Sequence, residues 1–206
     1  MVITYLGGQC FKVSFGETTI AFNPISKNSK LKEARFGADV AFITLNHPDF
    51  NGVEQVNYGE REAFVIRGAG EYEVGDVTAR GFSVQTTFLG KECYNTMYYV
   101  TLEGINMLFV GSLSDNKIDP KFLEEFGDID ILFVPIGGGD ALDSSSAAAL
   151  GVKLEAHVMI PMQYTDADLK SFLKEAGAEG VKAEEKYTIK KKDLVTLEGH
   201  VVVLSS

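Results

Sequence analysis

Two side chains that could do chemistry stand close together at the end of an apolar run. Residues 40–43 have the composition of a buried strand, which stops at a polar turn carrying His47 and Asp49. A strand that ends in an imidazole followed by a carboxylate is where α/β proteins commonly place a metal or a general base. The turn is therefore the first candidate for a functional site.

The chain has few other residues that could complete a catalytic metal centre. A catalytic zinc needs about three protein ligands, and a two-metal site needs roughly twice that number. The chain has 3 histidines, and besides His47 these are His157, at the start of an expected strand, and His200, in an expected closing hairpin. Both are expected at strand edges or on the surface, away from the turn, so a full dinuclear centre is not expected.

Two interpretations of the turn stay open. In the first, His47 and Asp49 hold a single ion, zinc or manganese, in a weak shell that Asp115 or Gln163 completes; such an oxygen-rich set suits a hard or borderline ion. In the second, Asp49 bonds backbone N–H groups and holds the turn, as Asx residues do, and no cofactor binds.

Composition and charge narrow the class of protein. The chain has 206 residues, of which 45% are hydrophobic and 23% charged, and this predicts one globular domain spanning residues 1–206. A net charge of −10 argues against a nucleic-acid partner. The apolar runs are too short for a membrane span, and the N-terminus starts as a strand, so we expect a cytoplasmic protein. Cys10, in an apolar run, is expected to be a buried thiol.

The order of the expected elements indicates a mixed α/β fold. Residues 2–24 alternate as antiparallel strands, residues 29–36 allow a short helix, and residues 63–88 predict several short strands. In the second half strands alternate with helices, two of which have their N-caps at Asp143 or Ser144 and at Thr165 or Asp166. This pattern suits helices packed outside a two-sheet core.

Several segments resemble, in order, the motifs of the metallo-β-lactamase fold. The turn TLNHPDF resembles its T-H-x-H-x-D-H loop, and further matches are ITYLGGQCF, IAFNP, GAGEYEVGDV, NTMYYVTLEGINMLFVGSLSD, ILFVPIGGGDALDSSSAA and VMIPMQY. The branch they resemble is that of predicted zinc-dependent hydrolases similar to ascorbate-6-phosphate lactonase. The resemblance implies a four-layer αββα sandwich, with two mixed sheets and helices outside.

The same resemblance implies that the metal ligands are degenerate. Positions at which the family carries metal ligands are occupied here by Gly8, Asn23, Leu45, Phe50, Ser112 and Gln163. The histidine expected near residues 86–89 is also missing. Leucine and phenylalanine cannot donate a lone pair to zinc.

Two functions follow from these substitutions. The first is a protein of this fold that has lost most metal ligands, is not an active metallohydrolase, and has a binding or structural role. The alternative is a metal-dependent hydrolase of a lactone, phosphodiester or other ester with an altered one-metal site at His47 and Asp49. The candidate binding residues are Leu45, His47, Asp49, Phe50, Ser112, Asp115, Gln163 and Tyr164. The partner, a small molecule or a protein, is not indicated, and self-association through sheet edges stays open.

Overall fold

The computed structural model describes residues 1–206 as two facing β-sheets with helices. The strands are β1 (Val2–Tyr5), β2 (Phe11–Phe15), β3 (Thr18–Phe22), β4 (Val40–Phe42), β5 (Phe64–Ile66), β6 (Gly70–Val74), β7 (Val77–Phe88), β8 (Lys91–Leu102), β9 (Ile105–Phe109), β10 (Ile131–Pro135), β11 (Val158–Met162), β12 (Tyr187–Thr188) and β13 (His200–Val201). The helices are α1 (Pro120–Glu125), α2 (Ser144–Lys153), α3 (Asp166–Glu175) and α4 (Lys191–Leu194), with one 3₁₀ turn at Val53–Gln55.

Both sheets are mixed. The first has six strands in the order β12-β1-β2-β3-β4-β5, antiparallel as far as β3 and parallel from β3 to β5. The second has seven strands in the order β13-β11-β10-β9-β8-β7-β6, parallel from β13 to β9 and antiparallel from β9 to β6. The predicted α/β class, with two mixed sheets and helices outside, is confirmed.

An aromatic cluster joins the inner faces of the two sheets. Phe22 of β3 stacks on Phe109 of β9 with ring centroids 4.6 Å apart, and Phe11 of β2 meets Phe133 of β10 edge-on at 4.8 Å. All four rings are fully buried. Aromatic pairs at these distances add to the free energy gained by burying the rings themselves.

The outer faces of the sheets are covered differently. Helices α2 and α3 pack on the second sheet, and Phe172 of α3 is completely buried there. The predicted helix over residues 29–36 is wrong, because that segment runs irregularly and Phe36 donates its N–H to the carbonyl of Gln55 at 3.1 Å. Of its apolar side chains, Phe36 packs against the cluster that contains Ala21 and Ala41, whereas Leu31 stays exposed, so the segment has no continuous apolar face for a helix to bury.

The helix starts follow the expected capping chemistry. Asp143 accepts the N–H of Ser146, and Thr165 forms a reciprocal capping box with Asp168. These caps fix the two loops that follow β10 and β11 at the same end of the second sheet.

None of the helices has the length and apolar character of a membrane-spanning segment.

Candidate functional site

Polar side chains from both sheets converge where the parallel strands end. Asn23 follows β3, Thr44 follows β4, Ser112 follows β9 and Gln163 follows β11, while Gln9 lies in the loop between β1 and β2. Carboxyl ends of parallel strands lie at one edge of a sheet, which is where α/β proteins place their sites. The topology therefore brings together residues that are far apart in the sequence.

Hydrogen bonds join these side chains into one network. The backbone N–H of Thr44 donates to Asn23 Oδ1 at 2.9 Å, and Asn23 Nδ2 donates to Gln9 Oε1 at 2.9 Å and to Thr44 Oγ1 at 2.8 Å. Gln9 Nε2 in turn donates to Ser112 Oγ at 3.1 Å and to Gln163 Oε1. The amides thus connect the ends of β3 and β4 in one sheet with the ends of β9 and β11 in the other.

Two further buried side chains, from β7 and β8 of the second sheet, bond to Ser112 and extend the network. Asn95 of β8 accepts the backbone N–H of Ser112 at 2.9 Å and donates to the carbonyl of Val110 at 2.8 Å. Thr86 of β7 donates to the carbonyl of Ser112 at 2.7 Å. Each polar group here has a protein partner, as buried polar groups require.

The network does not fit a catalytic metal ion. Gln9, Asn23 and Ser112 are completely buried and neutral, and their lone pairs and protons face one another rather than a common point. Zinc selects imidazole, thiolate and carboxylate ligands. Burial raises the pKa of the neighbouring Cys10 thiol to about 12, so its thiolate form is disfavoured. No group of three or more His, Cys, Asp or Glu side chains is placed to hold a metal.

The turn that carries His47 and Asp49 follows Thr44 of the network in the chain. His47 Nδ1 lies 3.5 Å from Asp49 Oδ2 and accepts the N–H of Asp49 at 3.3 Å. Asp49 also accepts the hydroxyl of Ser29, so its carboxylate ties the turn to the irregular segment over the first sheet. The His47 ring lies edge-on to Phe88, with centroids 5.0 Å apart, and Phe50 packs on Phe88 at 5.4 Å.

A cleft of about 350 Å³ opens beside this turn. Its walls include Phe50, Phe88 and Tyr164, its floor includes Gln163, and Asp49 is one of its two carboxylates. A cleft of this size and mixed lining falls within the range of small-molecule sites. The cleft and the hydrogen-bond network share Gln163.

The candidate residues predicted from the sequence fall into three groups: those that line the cleft, those that pack beside it or in the buried network, and those that lie outside both. Asp49, Phe50, Gln163 and Tyr164 line the cleft. His47 packs behind Phe88, and Ser112 lies in the buried network.

The other two candidates lie outside the cleft. Leu45 is not among its lining residues, whereas the preceding Thr44 is buried in the hydrogen-bond network. Asp115 lies in a neighbouring surface depression, with Lys117 Nζ 3.8 Å from its Oδ2. The two remaining histidines are also distant from the site, since His157 pairs with Asp130 at 3.3 Å and His200 is exposed on β13.

Sequence reasoning missed Gln9, Thr44, Asn95 and Phe88 as parts of the site. Gln9 gave no signal as a potential ligand, and its position depends on Gly7 and Gly8, whose positive φ angles of 97° and 57° turn the loop inward. A usable signal was present at the strand ends, where neutral polar residues follow strands whose last residues are apolar. Such residues point to a buried polar network when several strands end at the same edge.

The close approach of two loops beneath the site gives a testable prediction. A Cβ at Gly52 would lie 2.3 Å from the backbone carbonyl carbon of Ile25 and from the nitrogen of Ser26. We expect Gly52→Ala to lower the free energy of unfolding by about 2 kcal/mol, because backbone atoms must move to admit the methyl group. Urea unfolding measures this, with Asn46→Ala on the exposed part of the turn as control; equal stability of the two variants would contradict the packing.

The comparisons with known proteins agree with this architecture. The model of the β-lactamase superfamily domain matches residues 2–163, so the chain belongs to the metallo-β-lactamase superfamily. A metal-dependent hydrolase of Listeria innocua is 27% identical over 195 residues, covering 80% of this chain and 85% of that protein. A protein of Pyrococcus furiosus is 26% identical over 202 residues, covering 85% of this chain and 90% of the relative.

A solved structure extends the likeness over nearly the whole chain. It is that of a proposed Zn-dependent hydrolase of the metallo-β-lactamase superfamily from Thermotoga maritima, with 27% identity and a TM-score of 0.78. The match covers 98% of this chain and 97% of that one. The family and fold are therefore shown.

Proposed function

We propose that this protein is a member of the metallo-β-lactamase superfamily whose cleft binds a ligand and does not perform metal-dependent hydrolysis. The observation that carries the proposal is the neutral network of Gln9, Asn23, Ser112 and Gln163 at the convergent strand ends. Metal activation of water needs a held cation with an open coordination position. Side-chain oxygens that already accept hydrogen bonds from one another do not form a ligand set for such a cation.

The alternative is a hydrolase of a lactone, phosphodiester or other ester with one metal ion at His47 and Asp49. Two observations favour it: the Listeria relative is named a metal-dependent hydrolase, and the two side chains lie 3.5 Å apart. The sequence likeness to the branch that includes ascorbate-6-phosphate lactonase points the same way. Against it, Asp49 is engaged by Ser29, and no third acidic, thiol or imidazole side chain completes the set.

Activity and thermal melting in the presence of metal test the choice between these functions. We expect no hydrolysis of lactone, phosphodiester or carboxylic ester substrates after addition of zinc or manganese. We also expect the same melting shift, small or absent, for the wild-type chain and for His47→Ala, because neither holds a specific ion. Differential scanning fluorimetry and chromogenic ester assays give both readouts.

One pattern of results would reverse the assignment. A metal-dependent turnover together with a large upward melting shift, both lost in His47→Ala, would establish the one-metal hydrolase. His200→Ala is the matched control, since His200 is exposed and distant from the cleft and its loss should change neither readout.

A further inference from the structure

The orientation of the buried amides is fixed along the whole network. The backbone N–H of Thr44 can only donate, so the atom of Asn23 that it meets is Oδ1, and Asn23 therefore presents Nδ2 to Gln9. Gln9 then accepts with Oε1 and donates with Nε2, which meets Gln163 Oε1. A single backbone donor thus decides the direction of three successive side-chain amides.

The free end of this sequence of amides is a hydrogen-bond donor at the cleft. Gln163 Oε1 is occupied by Gln9, and its Nε2 donates to no protein acceptor. Gln163 lines the cleft. A ligand there would meet an N–H donor from the floor, and an oxygen acceptor on the ligand would satisfy it.

Aromatic rings form the walls around this donor. Phe50 and Phe88 meet edge to face at 5.4 Å, and Tyr164 stacks on Tyr5 at 6.3 Å. All four rings border the cleft. Phe50 is buried and supports Phe88, whose partly exposed ring can attract a cation. A ring held by neighbouring rings loses little conformational entropy when a ligand binds.

The charges at the cleft favour a cation over an anion. Asp49 and Asp168 are its two ionisable acids, and no lysine, arginine or histidine lines it. The hydrogen bonds from Thr165 hold the pKa of Asp168 below its ordinary value, so this carboxylate stays charged at neutral pH. The same capping box occupies the N-terminus of α3, which therefore does not offer a free anion site.

We propose that the cleft binds a small organic cation that carries a neutral oxygen acceptor, with the ammonium group against the partly exposed Phe88 ring beside Asp49 and the oxygen on Gln163 Nε2. The assignment rests on the proposed binding function and names its ligand class. A quaternary amino alcohol has both groups and is small enough for a cleft of about 350 Å³.

Choline and its uncharged isostere 3,3-dimethylbutan-1-ol are the probes that test this pairing. They have the same shape and the same hydroxyl and differ only in the charge. In calorimetric or NMR titrations we expect choline to bind about tenfold more tightly than the alcohol, because only the cation gains from the rings and the carboxylates. Equal affinity of the two probes, or no binding of choline in the millimolar range, would overturn the proposal.

Variants locate the binding in this cleft. Phe88→Leu keeps the wall apolar but removes the ring face, and we expect about fivefold weaker choline binding. Phe64→Leu is the matched control, because Phe64 is exposed on β5 and does not line the cleft, so its binding should equal wild type. Equal losses in both variants would show that the probe binds elsewhere, which contradicts the assignment.

The outcome separates this proposal from the one on which it rests. If choline fails to bind and no metal-dependent turnover is found, only the ligand class is wrong. If metal-dependent turnover is found, the binding function itself is wrong, whatever choline does.

Discussion

Asn23→Leu is expected to lower the free energy of unfolding by about 4 kcal/mol, one of the two largest effects of a single substitution that the structure predicts. The change removes the acceptor of the Thr44 N–H and the donor to Gln9, and each buried group left without a partner costs about 1–3 kcal/mol. Asn23 also has a positive φ of 43°, a conformation that asparagine tolerates better than leucine. Chemical denaturation in urea or guanidinium measures the loss.

The control for this prediction is Asn28→Leu, in the same connection between β3 and β4. Asn28 is exposed and its side chain takes part in none of the network's bonds, so its loss should stay near zero. If Asn23→Leu were as stable as Asn28→Leu, the neutral network would not be what holds the two sheets together at this edge.

Lys191→Met is expected to lower the free energy of unfolding by about 2–3 kcal/mol. Asp130, with 1% of its side chain exposed, binds Lys191 Nζ at 2.6 Å and lies 3.3 Å from His157 Nδ1. Lys191 is half-exposed, but its loss leaves the buried carboxylate of Asp130 without its main cation, and an uncompensated buried charge is destabilising. The expected loss of stability is not larger, because His157 and the N–H of Asn106 still bind the carboxylate.

The neighbouring Lys192→Met serves as the comparison for this ion pair. Lys192 is exposed on the same short helix and forms no ion pair, so the substitution should change stability by less than about 0.5 kcal/mol. Thermal unfolding of the two variants side by side isolates the pair from any effect on helix α4. Similar melting temperatures would show that Asp130 does not depend on Lys191.

The strand and helix positions were largely predictable because local chemistry decides them. Apolar alternation placed the opening antiparallel strands, and the caps at Asp143 and Thr165 placed α2 and α3. The helix expected at residues 29–36 failed because its conformation is decided by the packing of Phe36 against the cluster that contains Ala21 and Val56 and by its hydrogen bond to the Gln55 carbonyl, and these partners are distant in the sequence from Phe36. Tertiary contacts of this kind leave no periodic signal in the segment itself.

The site was predictable only in part for a related reason. Motif likeness located the turn with His47 and Asp49 and the strand ends at Ser112 and Gln163. It could not locate Gln9, because the sequence around this glutamine does not indicate a site residue. Its role depends on the fold, which brings four strand ends close to it. The resemblance only implies ligand positions, whereas the structure gives the hydrogen bonds that the side chains at Asn23, Ser112 and Gln163 form.

Hydrogen bonds between neutral side chains join the two sheets at the edge where their parallel strands end. A metal centre would hold the strand ends from both sheets by coordinating their side chains. Here Gln9 does so by hydrogen bonds, with Asn23 on one sheet and Ser112 and Gln163 on the other.

Metal content of the purified protein tests the central claim most directly. The protein is produced in medium supplemented with zinc and manganese, purified without chelators, and analysed by inductively coupled plasma mass spectrometry. The neutral network predicts far less than one equivalent of any transition metal per chain. About one equivalent of metal in the wild-type protein, and none in His47→Ala prepared in the same way, would contradict the proposed binding function. It would support the one-metal hydrolase.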